Sequence, residues 1–188
     1  MKYGVIKNLI SEDLRNQMID RMDLFKDHAM YMKEEDDTKG LKRPAYYGLF
    51  NSIQLHILPE VEKYFKVELL PTYNYSRIYQ NGSTLLRHTD RKACECSITV
   101  NLYQENGSWP IWMEYDNNRS EINLEPGDAA WYKGCEVLHW REENTKGKIY
   151  QTFMHYVDKN GKYSDRIYDE NPKRWFNELN HPMYQFDF

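Results

Sequence analysis

From residue 70 onward, side chains of opposite character alternate with a period of two in one short segment after another. "YNYSRIY" sets Tyr73, Tyr75, Arg77 and Tyr79 against Asn74, Ser76 and Ile78. "SITVNLY", "WPIWMEY", "EINL", "DAAWY" and "KIYQTFMHYV" follow, separated by the turn formers "ENGS", "DNNRS", "EPGD" and "TKGK". Successive side chains of a strand point to opposite faces, so the pattern predicts seven or eight short strands. Strands so close in sequence bury their apolar faces by packing sheet on sheet or by closing a barrel.

The segment before them has a different period. After a short strand in "KYGVIKNLI", Leu14, Met18, Ile19, Met22 and Leu24 or Phe25 recur at helical spacing. Ser11 is placed to cap that helix, and Glu12 and Asp13 suit its positive end. "LFNSIQLHILPEVEKYF" predicts a second helix interrupted near Pro59. Between them "KEEDDTKGLKRP" reads as a solvated connection, and residues 33–44 are a candidate lid. Past residue 158 the chain turns polar, and Asn171 before Pro172 predicts a last short helix through Leu179, docked by Trp175 and Phe176. The expected fold class is therefore α+β, mainly β, with helices packed on one side of a β-sandwich or barrel. A chain of 188 residues suits one domain: a strand and supporting helices over 1–69, the β core over 70–158 and a tail over 159–188.

Composition narrows the function classes. With 25 Lys+Arg against 29 Asp+Glu, the net charge of −4 offers no general attraction to nucleic acid or anionic lipid. "MKYGVIKNLISEDLRNQM" meets charge too early for a signal peptide, and no apolar run approaches the ~18 residues of a membrane span, so a cytoplasmic protein is expected. Cys94, Cys96 and Cys135 match neither a disulfide framework nor the common paired zinc spacings. Alternation would place Cys94 and Cys96 on one strand face, as packed thiols or as half of a metal site.

"RHTDRKACECSITVNLY" carries the chemistry. If the chain is extended there, His88 and Asp90 lie side by side on one face. H-x-D is common by chance, and a surface pair is its bland reading. His139, 51 residues further on after "EPGDAAWYKGCEVL", is the best candidate for a third ligand. Two histidines and one carboxylate leave coordination positions open, as in non-haem Fe(II) oxygenases, whereas structural zinc favours a closed tetrahedron.

With these residues in place, the chain resembles the 2-oxoglutarate- and Fe(II)-dependent oxygenases, within them the prolyl 4-hydroxylase-like group. "YGVIKNLISEDLRNQMI" is similar to the strand and helix that open such domains, "YSRIYQNGSTLLRHTD" to the strand leading into H-x-D, "LEPGDAAWY" to the turn and strand of the second half, and "VLHW" to the distal histidine. The resemblance implies a double-stranded β-helix, a cupin-like jelly roll, with iron held by His88, Asp90 and His139. It implies 2-oxoglutarate and O2 as cosubstrates and admits ascorbate as an accessory. A Lys or Arg after the distal histidine would anchor 2-oxoglutarate, and here Lys148 and Arg141 compete. Lys148 is expected to point into the barrel beside Tyr150, Thr152 and Met154, and Arg141 to emerge at the rim. Tyr79 and Thr152 would add hydroxyls, and His155 would lie on the opposite, structural face.

The implied reaction couples oxidative decarboxylation of 2-oxoglutarate to hydroxylation of an unactivated C–H bond. A peptidyl proline is the first substrate expected, and a free amino acid or other small metabolite the nearest alternative. Tyr46, Tyr47, Trp109, Trp112 and Trp140 are either a groove for a proline ring or ordinary core and rim residues. A cupin-like isomerase or hydrolase with another metal, or a non-catalytic binding module, are the readings from other classes. Base repair of nucleic acid, also known in the wider family, finds little support in the charge, and oligomeric state is left open.

Overall fold

The computed structural model describes residues 1–26, 32–35, 43–170, 172–180 and 185–188. The chain enters as strand β1 (Tyr3–Ile6) and helix α1 (Glu12–Phe25), then β2 (Met32–Glu35) and β3 (Arg43–Tyr47). Helices α2 (Asn51–His56) and α3 (Leu58–Phe65) follow. The strand-rich part comprises β4 (Leu69–Tyr79), β5 (Leu85–His88), β6 (Cys96–Gln104), β7 (Ile111–Tyr115), β8 (Asn118–Ile122), β9 (Ala129–Tyr132), β10 (Leu138–Arg141) and β11 (Ile149–Asp158). Helix α4 (Pro172–Asn180) closes the order.

Among the described residues all strand pairings are antiparallel. Seven strands form one sheet in the order β1-β9-β6-β11-β4-β3-β2, and four form the other in the order β5-β10-β7-β8. Chain neighbours β4 and β5, and again β10 and β11, lie in opposite sheets, as a jelly roll requires. The helices cover the outer face of the large sheet. There Leu14, Met18 and Met22 of α1 and Ile53 and Val61 of α2 and α3 share a core with Ile98 and Val100 of β6 and Met154 of β11.

Most of the helical reading holds. Ser11 accepts from Leu14 N at 3.3 Å, and of the two alternatives at the end of α1, Phe25 is buried and Leu24 is 62% exposed. The second helix breaks into α2 and α3 at Ile57, with Pro59 in the first turn of α3, where its missing N–H costs nothing. Buried amides dock α2 on the sheet: Asn74 donates to Asn51 Oδ1 at 2.6 Å and Gln54 Oε1 at 3.0 Å, and Gln54 donates to His155 O at 2.8 Å. Unpaired, each group would cost about 1–3 kcal/mol, so the network fixes the helix in one place.

Two local expectations need correction, and two others fall on residues that are not described. The ends of the charged connection are strands, β2 and β3 extending the large sheet, because Ala45–Tyr47 pair with Tyr75–Arg77. The rest of the 33–44 lid, residues 36–42, lies outside the described residues. In α4 the packing falls to Trp175, which is 4% exposed, while Phe176 is 44% exposed. Asn171, the expected cap, lies outside the described residues. Among the described residues, no helix is long and apolar enough to cross a membrane.

The "EPGD" turn ends in a buried carboxylate that ties the N-terminal strand to the sheet. Asp128 receives Lys7 Nζ at 2.6 Å, Asn8 N at 3.0 Å and Glu125 N at 3.1 Å. Burial alone would raise its pKa, but Lys7 and the two backbone donors outweigh it and hold it below the ordinary value. A depressed carboxyl stabilises the fold above its unfolded pKa and loses that contribution as pH falls through the folded one. Asp128→Ala is expected to cost about 1–3 kcal/mol at neutral pH by stranding buried donors, with a smaller difference from wild type in acid, read by urea melts across pH.

Candidate metal centre

Strand pairing builds the site. His88 ends β5, His139 is the second residue of β10, and the two are direct antiparallel partners, which brings their ring centroids to 4.3 Å. Asp90 lies two residues past the end of β5, so the H-x-D pair is not within one strand. Its backbone N–H instead donates to Gly134 O at 2.8 Å, which turns the carboxylate back toward the histidines. Asp90 Oδ1 is 3.6 Å from His88 Nε2 and 3.4 Å from His139 Nε2. One ligand atom from each of the three residues lies within 4.8 Å of the others.

The ring nitrogens are assigned by their partners. Carbonyls only accept, so His88 Nδ1 donates to Leu86 O at 2.7 Å and His139 Nδ1 to Val137 O at 3.0 Å. Both imidazoles are thus oriented with Nε2 toward Asp90, the arrangement that supported metal-binding histidines adopt. Burial opposes the charge on Asp90, yet the two histidines outweigh it and hold the carboxyl well below the usual range. Two nitrogens and an anionic oxygen, with His139 buried and His88 on the open side, fit a divalent transition metal with open positions.

Asp90, Cys94 and His155 form a second close group. Burial pushes the Cys94 thiol up, and it pairs with Tyr73 Oη at 3.1 Å. Cys96 packs under the helices beside Lys133 Nζ at 3.1 Å. The two thiols therefore do not share a face, and the C-x-C half-site is not formed. All three cysteines are free.

The expected anchor geometry is reversed. On β11 the even-numbered residues face the helices: Tyr150 donates to Asp23 Oδ1 on α1 at 2.8 Å, Met154 is in the helix-side core, and Thr152 donates to Tyr75 O at 3.3 Å. The barrel interior receives Ile149, Gln151, Phe153 and His155, so Thr152 is not in the pocket. Lys148 precedes the strand with its side chain exposed and its backbone N–H on Glu105 Oε2 at 2.7 Å. It does not point inward.

Arg141, expected at the rim, is 2% exposed and lies two residues from His139 on the inner face of β10. Its Nη1 donates to Trp109 O and its guanidinium stacks on the Trp109 ring at 4.7 Å, while Nε and Nη2 find no partner among the described residues. Burial pulls its pKa down to about 10, so it remains a cation at neutral pH. A buried cation with two idle donors is expensive unless an anion joins it. Tyr79, 1% exposed, lies across the interior from it, edge-on to Trp109 at 5.0 Å.

Sequence reasoning missed other interior groups. Arg77 is 1% exposed and faces inward opposite Gln151, as the strand face it shares with Tyr75 and Tyr79 already implied. Ser97 reaches Asp90 Oδ2 at 3.1 Å. Gly134 leaves room for the carboxylate, since a Cβ there would overlap Cys94 O and Asp90 Oδ2. Gly134→Ala is expected to cost about 1–3 kcal/mol by overpacking and to weaken metal binding, read by thermal melts and Co(II) titration. An open depression reaches Asp90 and is otherwise lined by Arg91, Lys92, Ala93, Cys135, Tyr163 and Arg166. Arg91 is bidentate to Asp169 at 2.7 and 2.8 Å.

The aromatics do not form one groove. Trp109 is core, donating to Glu142 O at 2.9 Å. Trp112 and Trp140 stack on the outer face of the small sheet with Arg119 over both. The side chains of Tyr46 and Tyr47 lie outside the described residues.

The two antiparallel sheets form a double-stranded β-helix, with a histidine pair across β5 and β10 and a carboxylate between them. Solved structures agree. SnoK, a non-haem α-ketoglutarate-dependent carbocyclase from nogalamycin biosynthesis, matches with a TM-score of 0.70 at 12% identity, over 92% of this chain and 86% of that one. A Pseudomonas putida prolyl-4-hydroxylase matches at 0.60 and 11% identity, over 82% and 91%. A Trichoplax adhaerens prolyl hydroxylase, solved with a hypoxia-inducible-factor peptide fragment, matches at 0.64 and 10% identity, over 84% of each chain. No protein-family model and no curated protein sequence matches the chain. At these identities the likeness establishes the fold.

Proposed function

We propose that the protein is an Fe(II)- and 2-oxoglutarate-dependent dioxygenase that hydroxylates an unactivated C–H bond. The observation that carries this reading is the pairing, in one barrel, of the His88–Asp90–His139 cluster with the buried and half-unpartnered Arg141. Iron with 2-oxoglutarate supplies oxidative decarboxylation and the oxidant for C–H cleavage. His88, Asp90 and His139 would hold the metal. Arg141 would pair with the distal carboxylate of 2-oxoglutarate, and its planar fork suits that role. Trp109, Tyr79, Phe153 and Ile149 pack around that end of the interior and exclude water, which strengthens the ion pair and protects the oxidant from waste.

A peptidyl proline is the first substrate to test, supported by the two prolyl hydroxylases among the structural neighbours. The second reading, a small free metabolite, is favoured by the coverage of the carbocyclase, which spans more of this chain than either hydroxylase. The test is succinate formation from 2-oxoglutarate with Fe(II), with and without proline-containing peptides or free amino acids, together with product mass. Substrate-stimulated succinate and addition of one oxygen atom are expected. Absence of any 2-oxoglutarate consumption across the panel, with iron bound, contradicts the assignment and favours a cupin-like metalloenzyme or a binding module.

A further inference from the structure

The two oxygens of Asp90 have different surroundings. Oδ1 faces both histidine Nε2 atoms, at 3.6 and 3.4 Å, whereas Oδ2 receives Ser97 Oγ at 3.1 Å and lies against Gly134. Behind Ser97 stands His155, 2% exposed on the inner face of β11, with Nδ1 at 2.8 Å from Ser97 Oγ. We propose that Ser97 and His155 are positioning residues that hold Asp90 as a one-oxygen metal ligand. The inference rests on the metal reading above.

The direction of the chain follows from counting protons. Ser97 has one hydroxyl proton and three partners: Asp90 Oδ2, Cys94 O at 3.0 Å and His155 Nδ1. Two of these only accept, so if the proton goes to either one, His155 Nδ1 must be the donor. His155 Nε2 has no partner among the described residues. A buried N–H without an acceptor is rarer and costlier than a buried acceptor without a donor, so the proton belongs on Nδ1. With His155 donating to Ser97, the hydroxyl proton is free for Asp90 or Cys94 O. The carboxylate wins, because a charge-assisted hydrogen bond is roughly twice as strong as a neutral one. The order is His155 Nδ1–H to Ser97 Oγ–H to Asp90 Oδ2.

The consequence is a coordination count. Two histidine nitrogens and one carboxylate oxygen leave three positions of an octahedron. A carboxylate bound through both oxygens would consume one of the three, which a chelating 2-oxo acid and dioxygen need together. Packing Oδ2 against Gly134 and bonding it to Ser97 keeps that position open.

The test is anaerobic Co(II) titration of the full chain, followed through its ligand-field absorption, for wild type, Ser97→Ala, His155→Leu, His155→Asn and the double variant Ser97→Ala/His155→Leu. Asn places an N–H donor close to where His Nδ1 stands. Ser97→Ala and His155→Leu should each weaken Co(II) binding about 10- to 100-fold and alter the band pattern, because residues that support a ligand have effects of that size. His155→Asn should restore both readouts, and the double variant should be no weaker than Ser97→Ala alone, since His155 acts through Ser97. Apo melting curves separate these effects from misfolding. Wild-type affinity and spectrum in Ser97→Ala, or additive losses in the double variant, overturn the proposal alone. A wild-type chain that binds no Co(II) overturns the metal reading and the proposal with it.

Discussion

Asp90→Ala is expected to abolish 2-oxoglutarate turnover and to lower Fe(II) affinity by more than the ~10- to 100-fold that follows loss of a residue merely supporting a ligand. Among the described residues this carboxylate is the one anion between the two Nε2 atoms, and without it His88 and His139 offer two neutral nitrogens on neighbouring strands. The apo fold should survive. Asp90 lies past the end of β5 and is not part of an apolar cluster, and the cost of burying its charge offsets part of what its bonds contribute. A change in apo stability of no more than about 2 kcal/mol is expected in urea melts. If Asp90→Ala unfolds the apo protein, the carboxylate is structural and the metal reading loses its principal ligand.

The second large effect concerns Arg141. Removing its pairing with the 2-oxoglutarate carboxylate in a dry interior should cost roughly 2–5 kcal/mol, which raises the apparent KM for 2-oxoglutarate at least ~30-fold. Lys148→Ala should leave KM nearly unchanged, because that side chain is exposed. Arg141→Met adds a control with the opposite sign. Without ligand, Nε and Nη2 are buried and idle, so an apolar replacement of similar length should leave apo stability unchanged or raised. In the same melts 2-oxoglutarate with metal should stabilise the wild type and fail to stabilise Arg141→Met. A KM effect confined to Lys148→Ala would return the anchor to the start of β11.

The difference between these two basic residues shows how far the sequence could be read. Alternation in "KIYQTFMHYV" separates the residues of β11 into two faces, and the structure keeps that separation. Which face is interior depends on where α1 packs, a tertiary fact absent from the strand itself. Burial was the missing term: β11 is covered on both sides, so Met154 and Phe153 are equally apolar and equally silent about direction. A neighbouring strand held the missing clue, since Arg77 shares its face with three tyrosines and that inward face had to be polar in part.

His88 and Asp90 stood out in the sequence through H-x-D and His139 through what the resemblance implies, whereas the pairing of β5 with β10 that makes the two histidines direct partners is a tertiary fact absent from their spacing. Asp90 was legible by type but not by cause. Its position depends on Gly134, 44 residues away, whose missing side chain makes the room. Strand β2 was hidden by its charge, which for a strand at a sheet edge is ordinary. Cys94 and Cys96 were misassigned because a short 3-10 turn, Lys92–Cys94, interrupts the alternation just before β6.

The central claim is that one barrel interior holds a metal at His88, Asp90 and His139 and a 2-oxo dicarboxylate against Arg141. Anaerobic titration with Fe(II) and then 2-oxoglutarate tests both at once, through the weak visible charge-transfer band of the chelated complex. The account predicts that the band grows to one equivalent of each, is lost in Asp90→Ala and needs much higher 2-oxoglutarate in Arg141→Met. Iron binding with no band at saturating 2-oxoglutarate, or a band unchanged in Asp90→Ala, would contradict it.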